Sequence, residues 1–362
     1  MRTIFSSLVA LLTGLFASAA IAQIDRAEVW RDEWPKTDFT RFVAPLSEIE
    51  SNLARDSIPS IDDPQFLAVS DVMIEQSGET VFPKQRGEYR RAMSNDTFSL
   101  SPQDPVISFE INGDARAYPL RIMMFHEIVN DRVGGEPVAV TYCPLCNTAI
   151  VLKRTLDGEP VEFGTTGKLR HSDLVMYDRK THTWWQQFTG RAIVGERAGE
   201  RLDRLAARLE SYEQFARRFP RGKVLAPPKD SNAPYGRNPY FQYDSARRPF
   251  LYRGGAPEGI APLARVVAIN GTAYALALVQ DKGVIEEDGY KISWVAGQAS
   301  ALDAHDVADG KDVGNVVVQK KQPDGSWRDA PYDVTFAFAF HAFEPEGRWR
   351  LQNDGANDQS PN

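Results

Sequence analysis

The sequence predicts an α+β fold, predominantly β, made of two related β-rich halves with small flanking helices. Three observations carry that expectation. Apolar residues recur in short strand-sized runs separated by Gly, Asn and Asp turns. Helical periodicity is confined to brief stretches. The segment Ile111-Asn112-Gly113-x-Ala115-x-Ala117 returns as Ile269-Asn270-Gly271-x-Ala273-x-Ala275, which reads as duplication of one β-rich unit. Asn147–Ile150 lines up with Ala299–Leu302 on the same reading. That sets Cys143 opposite Val295 and Cys146 opposite Gln298. Strand-turn-strand units also look alike by chance. If duplication holds, the chemistry belongs to the first copy and the second is its structural partner.

In chain order, residues 1–22 read as a signal peptide: Arg2 is basic, Ile4 to Ile21 are mostly apolar, and Ala20-Ile21-Ala22 is a small-x-small cleavage site. Cleavage after Ala22 predicts a periplasmic protein. Polar residues interrupt the apolar run, and no later stretch is long enough for a membrane span in the mature chain. Residues 23–105 form an N-terminal extension of weak periodicity, with a short capped helix expected from Ser47 to Leu53. The first half, 106–200, opens on a strand at Val106–Ile111, an Asn112-Gly113 turn and a partner at Ala115–Tyr118. Pro119 starts a helix expected through Asn130. Strands follow at Val138–Tyr142, Thr148–Leu152, Val161–Phe163, Leu174–Tyr177, Trp184–Phe188 and Ala192–Val194. Gly164 and Gly167 serve as turns between them. Residues 201–264 are a helix, Ser211 to Phe219 with a Ser211-x-x-Gln214 cap, and an irregular connector. The second half is 265–350, and 351–362 is a polar tail expected to be disordered.

Composition excludes some functions. The chain has 42 Lys+Arg and 49 Asp+Glu; losing Arg2 with the leader leaves 41 against 49, a net charge near −8. That disfavours nucleic acid as a partner. The partner expected is an unidentified periplasmic one.

Both cysteines of the chain fall in one motif, Cys143-Pro144-Leu145-Cys146. Such a pair closes a small disulfide ring or grips one metal ion. A thioredoxin-like arrangement needs a helix after the motif, but Thr148, Ile150 and Val151 are β-branched and Asp157-Gly158 breaks the segment. Haem attachment is excluded because Asn147, not His, follows the second cysteine. A metal needs further donors. Among five histidines, His126 lies just before the cysteine strand, while His171 and Met176 fall in the next strand pair. Thiolate, imidazole and thioether together suit copper, and zinc accepts the first two. Met123 and Met124 read as core filler, and His182 as a solvated turn residue. One of Trp184 and Trp185 reads as core, leaving the other free to line a pocket. Gly164–Lys168 lacks the full phosphate-loop spacing. No G-x-S-x-G elbow supports a serine hydrolase. A Cys nucleophile with His126 as base ranks third, because it leaves the second thiol unexplained.

These residues resemble a known family. Tyr142–Ala149, preceded by His126-Glu127-Ile128-Val129-Asn130-Asp131, is similar to the exported family catalogued as domain of unknown function 3179. Phe163-Gly164-x-x-Gly167-Lys168-Leu169, Leu174–Arg179 and Trp184-Trp185-Gln186 extend the likeness over Val106 to Phe343. The resemblance implies no established activity. In that pattern His171 often gives way to another polar residue, which favours His126 as the ligand.

The leading expectation is a periplasmic metal-site protein, copper preferred over zinc. Cys143, Cys146 and His126 would be donors, with Met176 a weaker one. The alternative is a thiol–disulfide enzyme or redox sensor in which Cys143 and Cys146 react beside His126 and Glu127. A further alternative keeps the pair as a structural disulfide in a binding or scaffold module, though so short a loop contributes little chain entropy.

Overall fold

The computed structural model describes residues 27–74 and 98–352. The expected signal peptide and most of the expected tail lie outside those residues. The N-terminal extension supplies β1 (Ile49–Ser51) and β2 (Phe66–Ala68). The first half runs β3 (Pro105–Ile111), β4 (Asp114–Pro119), helix α1 (Leu120–His126), β5 (Ile128–Val133), β6 (Glu136–Cys143) and β7 (Thr148–Lys153). Next come β8 (Phe163–Arg170), β9 (Asp173–Asp178), β10 (Trp184–Gln186) and β11 (Arg191–Val194). Then follow β12 (Arg204–Leu205), β13 (Arg208–Ser211), α2 (Tyr212–Arg218) and β14 (Lys223–Leu225). The second half is β15 (Arg265–Ile269), β16 (Thr272–Ala275), α3 (Leu276–Lys282), β17 (Val284–Glu287), β18 (Tyr290–Val295) and β19 (Asn315–Lys321). It ends with β20 (Trp327–Asp329), β21 (Asp333–Phe336), α4 (Ala337–Phe343) and β22 (Arg348–Arg350).

The fold is predominantly β with few helices, as the sequence predicts. Among the described residues five sheets of four or five strands carry it, ordered β13-β3-β4-β14-β2, β12-β7-β6-β5, β1-β8-β9-β10-β11, β21-β15-β16-β22 and β17-β18-β19-β20, beside two small two-stranded ladders. Sheets of this size packed side by side suggest a five-bladed, propeller-like ring. The first and fourth share strand order and direction, including one parallel pair each, β4 with β14 and β16 with β22. The second and fifth also run in the same order. The paired motifs sit at equivalent tight turns, where Asn112, Gly113, Asn270 and Gly271 all have positive φ, as a two-residue hairpin turn requires. The further alignment of 147–150 with 299–302 does not match the ladders. Val295 pairs with Asn315 as Cys143 pairs with Thr148, so residues 296–314 form the link between β18 and β19 where only 144–147 join β6 to β7.

Several local expectations change. Helix α1 stops at His126 because Glu127 takes φ 58° and turns the chain into β5, so Asn130 is strand. The helix expected at Ser47 is a single 3-10 turn, Leu46–Glu48, leading into β1. Gly164 to Lys168 is no turn but a bulged part of β8, its register shifting between Thr165 and Lys168. Gly167 has φ 69° there, and a Cβ would stand 2.1 Å from the Leu53 carbonyl oxygen. Residues 204–225, expected in the helix and connector, supply strands to the first and second sheets. Helix α2 matches its signal. Ser211 caps it, its side chain accepting from the Gln214 N–H, so Ser211→Ala should cost about 1 kcal/mol in urea unfolding.

The main core runs through both halves and includes Cys143, Cys146, Leu302, Phe336 and Phe338. A second cluster joins Trp30, Trp34 and Phe39 of the extension to Val175, Tyr177 and Trp184. Both Trp184 and Trp185 are therefore fully buried, one in each cluster, and neither is left free for a pocket. No helix among the described residues is long and apolar enough to cross a membrane.

Candidate metal centre

The Cys-x-x-Cys segment is the turn between β6 and β7. The Asn147 N–H closes it on the Pro144 carbonyl at 3.2 Å, and Asn147 takes φ 54°, a conformation Asn tolerates better than most residues. The second half holds the turn in place. Thr335 Oγ1 and the Phe336 N–H donate to the Cys146 carbonyl at 2.9 and 3.0 Å, and Asn147 Nδ2 donates to the Val334 carbonyl at 2.9 Å. Thr335→Val deletes one buried hydrogen bond. It should lower stability by about 1 kcal/mol and loosen the turn, readable by urea unfolding and by faster amide exchange at Asn147.

Asp173 meets the two sulfurs. Its hairpin turn, His171 and Ser172 at φ 52° and 66°, folds β9 back so that Asp173 enters beside the cysteine turn. One ligand atom from each of Cys143, Cys146 and Asp173 lies within 4.8 Å of the others, all three residues buried. Asp173 Oδ2 is fixed by Gln186 Nε2 at 2.6 Å and the Phe188 N–H at 2.9 Å. Oδ1 is buried and receives no conventional hydrogen bond, leaving it to the sulfurs. Cys143 Sγ is 3.7 Å from the Ser172 carbonyl, and both cysteines are free thiols.

Burial sets the electrostatics. It pushes the Cys143 thiol up and the Cys146 thiol well up. It raises the Asp173 carboxyl to about 7, although the Phe188 and Gln186 hydrogen bonds pull the other way. Glu127 rises to about 8, first by burial and then by the charge of Asp173. Without a cation the pocket favours protonated, neutral groups. A bound cation reverses this, because a coordinating thiol loses its proton outright. The three groups can hold a metal ion.

The expected ligands divide. Cys143 and Cys146 are together as expected. His126 is elsewhere: Nδ1 lies 2.8 Å from the Pro59 carbonyl and Nε2 2.5 Å from Tyr235 Oη, so both ring nitrogens are engaged away from the sulfurs. Met176 is fully buried three residues beyond Asp173, in the core cluster that holds both cysteines. His171 is a turn residue 3.2 Å from Glu48, and His182 packs on Trp34 and Tyr177. Sequence reasoning missed Asp173. An Asp at the mouth of an apolar strand reads as turn chemistry, and nothing local ties it to cysteines so far back in the chain.

Glu127 stands at the edge of the group. Its φ 58°, ψ −30° is a conformation that costs a residue with a side chain on the order of 1–3 kcal/mol. Its carboxyl, though the residue is buried, makes no hydrogen bond to the described residues. It faces a cavity of ≈ 560 Å³ that also reaches Leu145, inside the cysteine turn, and Leu174, next to Asp173.

No curated protein and no solved structure matches the chain. Residues 55–347 match the family model described as a protein of unknown function, DUF3179, and the chain, with its cysteine turn inside the matched span, belongs to that family.

Proposed function

We propose that the protein is a metal-binding protein whose ion sits between Cys143, Cys146 and Asp173, with zinc the ion this donor set suits best. The observation that carries the reading is the Asp173 carboxylate oxygen, buried without a conventional hydrogen bond beside two free thiols. The two thiols are only weak donors to that oxygen, and a cation is the partner that satisfies all three groups at once. An imidazole beside the two thiolates would favour copper. With His126 engaged elsewhere and a carboxylate in its place, the set is harder and moves from Cu(I) toward zinc. Three protein donors with one position left over is the count of zinc sites that do chemistry, since structural sites are closed by four.

Burial counts against the thiol–disulfide reading, because a reactive cysteine needs a lowered pKa and access to its partner. On the export reading a metal would also hold the dithiol reduced, where an unprotected pair tends to oxidise.

The test is elemental analysis after equilibrium dialysis against zinc and, separately, Cu(I). Wild type should hold one zinc per chain, Cys143→Ser and Asp173→Asn should hold none, and His126→Gln should hold a full equivalent. Zinc retained by Asp173→Asn but lost by His126→Gln would restore the imidazole site and remove this one.

A further inference from the structure

We propose that the cavity beside the cysteine turn binds a small organic cation, a primary amine on an apolar body about the size of one aromatic ring, with Glu127 as its carboxylate anchor. The first support is backbone. Glu127 and Gly283 occupy the same point in the two halves, each the residue that ends the helix after a hairpin and leads into the next strand. Each backbone N–H closes on the carbonyl four residues back, Met123 and Val279. Their torsions nearly coincide, φ 58°, ψ −30° against φ 68°, ψ −43°. That geometry suits glycine, and the second half uses one. In the first half a glutamate takes the same strained conformation, so its side chain must repay the strain.

The second support is the carboxyl itself, which has no hydrogen-bond partner among the described residues although Glu127 is only 8% exposed. The third is the cavity, ≈ 560 Å³ and lined by Tyr240, Phe241, Tyr243 and Phe250. Its size is that of small-molecule sites, and aromatic faces attract a desolvated ammonium.

Charge selects the sign of the ligand. The groups that interact with Glu127 include Asp173, Cys143 and Tyr240, which add negative charge or none. Lys168 lines the same cavity, but its ammonium is held by Glu33 Oε2 at 2.9 Å and by the Leu53 and Thr166 carbonyls at 3.4 Å. Among the described residues an anion would meet acids without a free cation, whereas an ammonium meets an unpaired carboxyl. The inference does not require the metal. A zinc ion with two thiolates and a carboxylate still carries net negative charge and leaves the preference unchanged.

Calorimetric titration of the chelator-stripped full chain with benzylamine, benzyl alcohol and benzoate tests the inference. Benzylamine should bind one per chain and more tightly than the other two. Glu127→Gln should weaken benzylamine by about tenfold or more, the loss of a charge-assisted bond, without weakening benzyl alcohol as much. Glu127→Gly should abolish the benzylamine preference yet raise Tm, since it removes strain and a buried acid together. Failure of benzylamine to bind, benzoate binding as tightly, or a Glu127→Gly variant with lower Tm and unchanged binding each overturns the inference. Because the protein is stripped, these outcomes stand apart from whether zinc binds.

Discussion

Chelator-stripped protein should gain about 4 kcal/mol of stability when free zinc is raised to roughly a thousand times its Kd. At about 2 cal/mol/K of unfolding entropy per residue, that is a rise in Tm of roughly 6 °C for a chain of this length. The gain arises because the metal binds the assembled site and not the unfolded chain. Cys143, Cys146 and Asp173 come from a β6–β7 turn and the start of β9, and only the folded sheets bring them within 4.8 Å. Calorimetry of Cys143→Ser and Asp173→Asn should show this shift shrinking toward zero, while His126→Gln keeps it. Equal shifts in all four proteins would mean that zinc stabilises through some other surface.

The metal-free protein should lose stability as pH rises from about 4 to 9, on the order of 4 kcal/mol from Asp173 alone at about 1.4 kcal/mol per unit. The unfolded chain releases these protons near 3.8 for Asp173 and 4.5 for Glu127, whereas the folded state holds them to about 7 and about 8. Between those limits the native state binds more protons than the unfolded state, so unfolding free energy falls with pH. The stabilising contribution is whole below pH 4 and is gone once pH passes the folded values. The two carboxyls interact, so the steps belong to the pair. Asp173→Asn should flatten much of the slope, since an amide oxygen can still accept from Gln186 and the Phe188 N–H. Zinc reverses the trend, because binding releases protons and strengthens as pH rises. Urea unfolding across this range, with and without zinc, should give two curves that converge toward acid and separate toward alkali. A metal-free protein more stable at pH 9 than at pH 5 would contradict the burial of these acids.

Much of the site was legible before the fold was. Two cysteines at that spacing, preceded by a strand and followed by β-branched residues, specify a turn between strands and exclude a thioredoxin helix. The Asn-Gly turns marked the equivalent hairpins of the two halves, and Ser211 marked a helix start. Long-range pairing was not legible. Asp173 reaches the sulfurs through a hairpin turn and a sheet register, neither of which leaves a mark on its neighbours. His126 misled because it lies close to the cysteines in the chain, whereas its ring, at the end of α1, is taken up by Pro59 and Tyr235. The early end of α1 was hidden for a similar reason. Glutamate is a good helix former, and only the fold shows it in the position where the second half has glycine.

X-ray absorption at the zinc edge of the loaded protein addresses the account most directly, because it reads the donor atoms themselves. Two sulfurs at about 2.3 Å and one or two light donors at about 2.0–2.2 Å is the predicted result, unchanged in His126→Gln. A shell without sulfur, or with the multiple-scattering signature of imidazole that vanishes in His126→Gln, would contradict it.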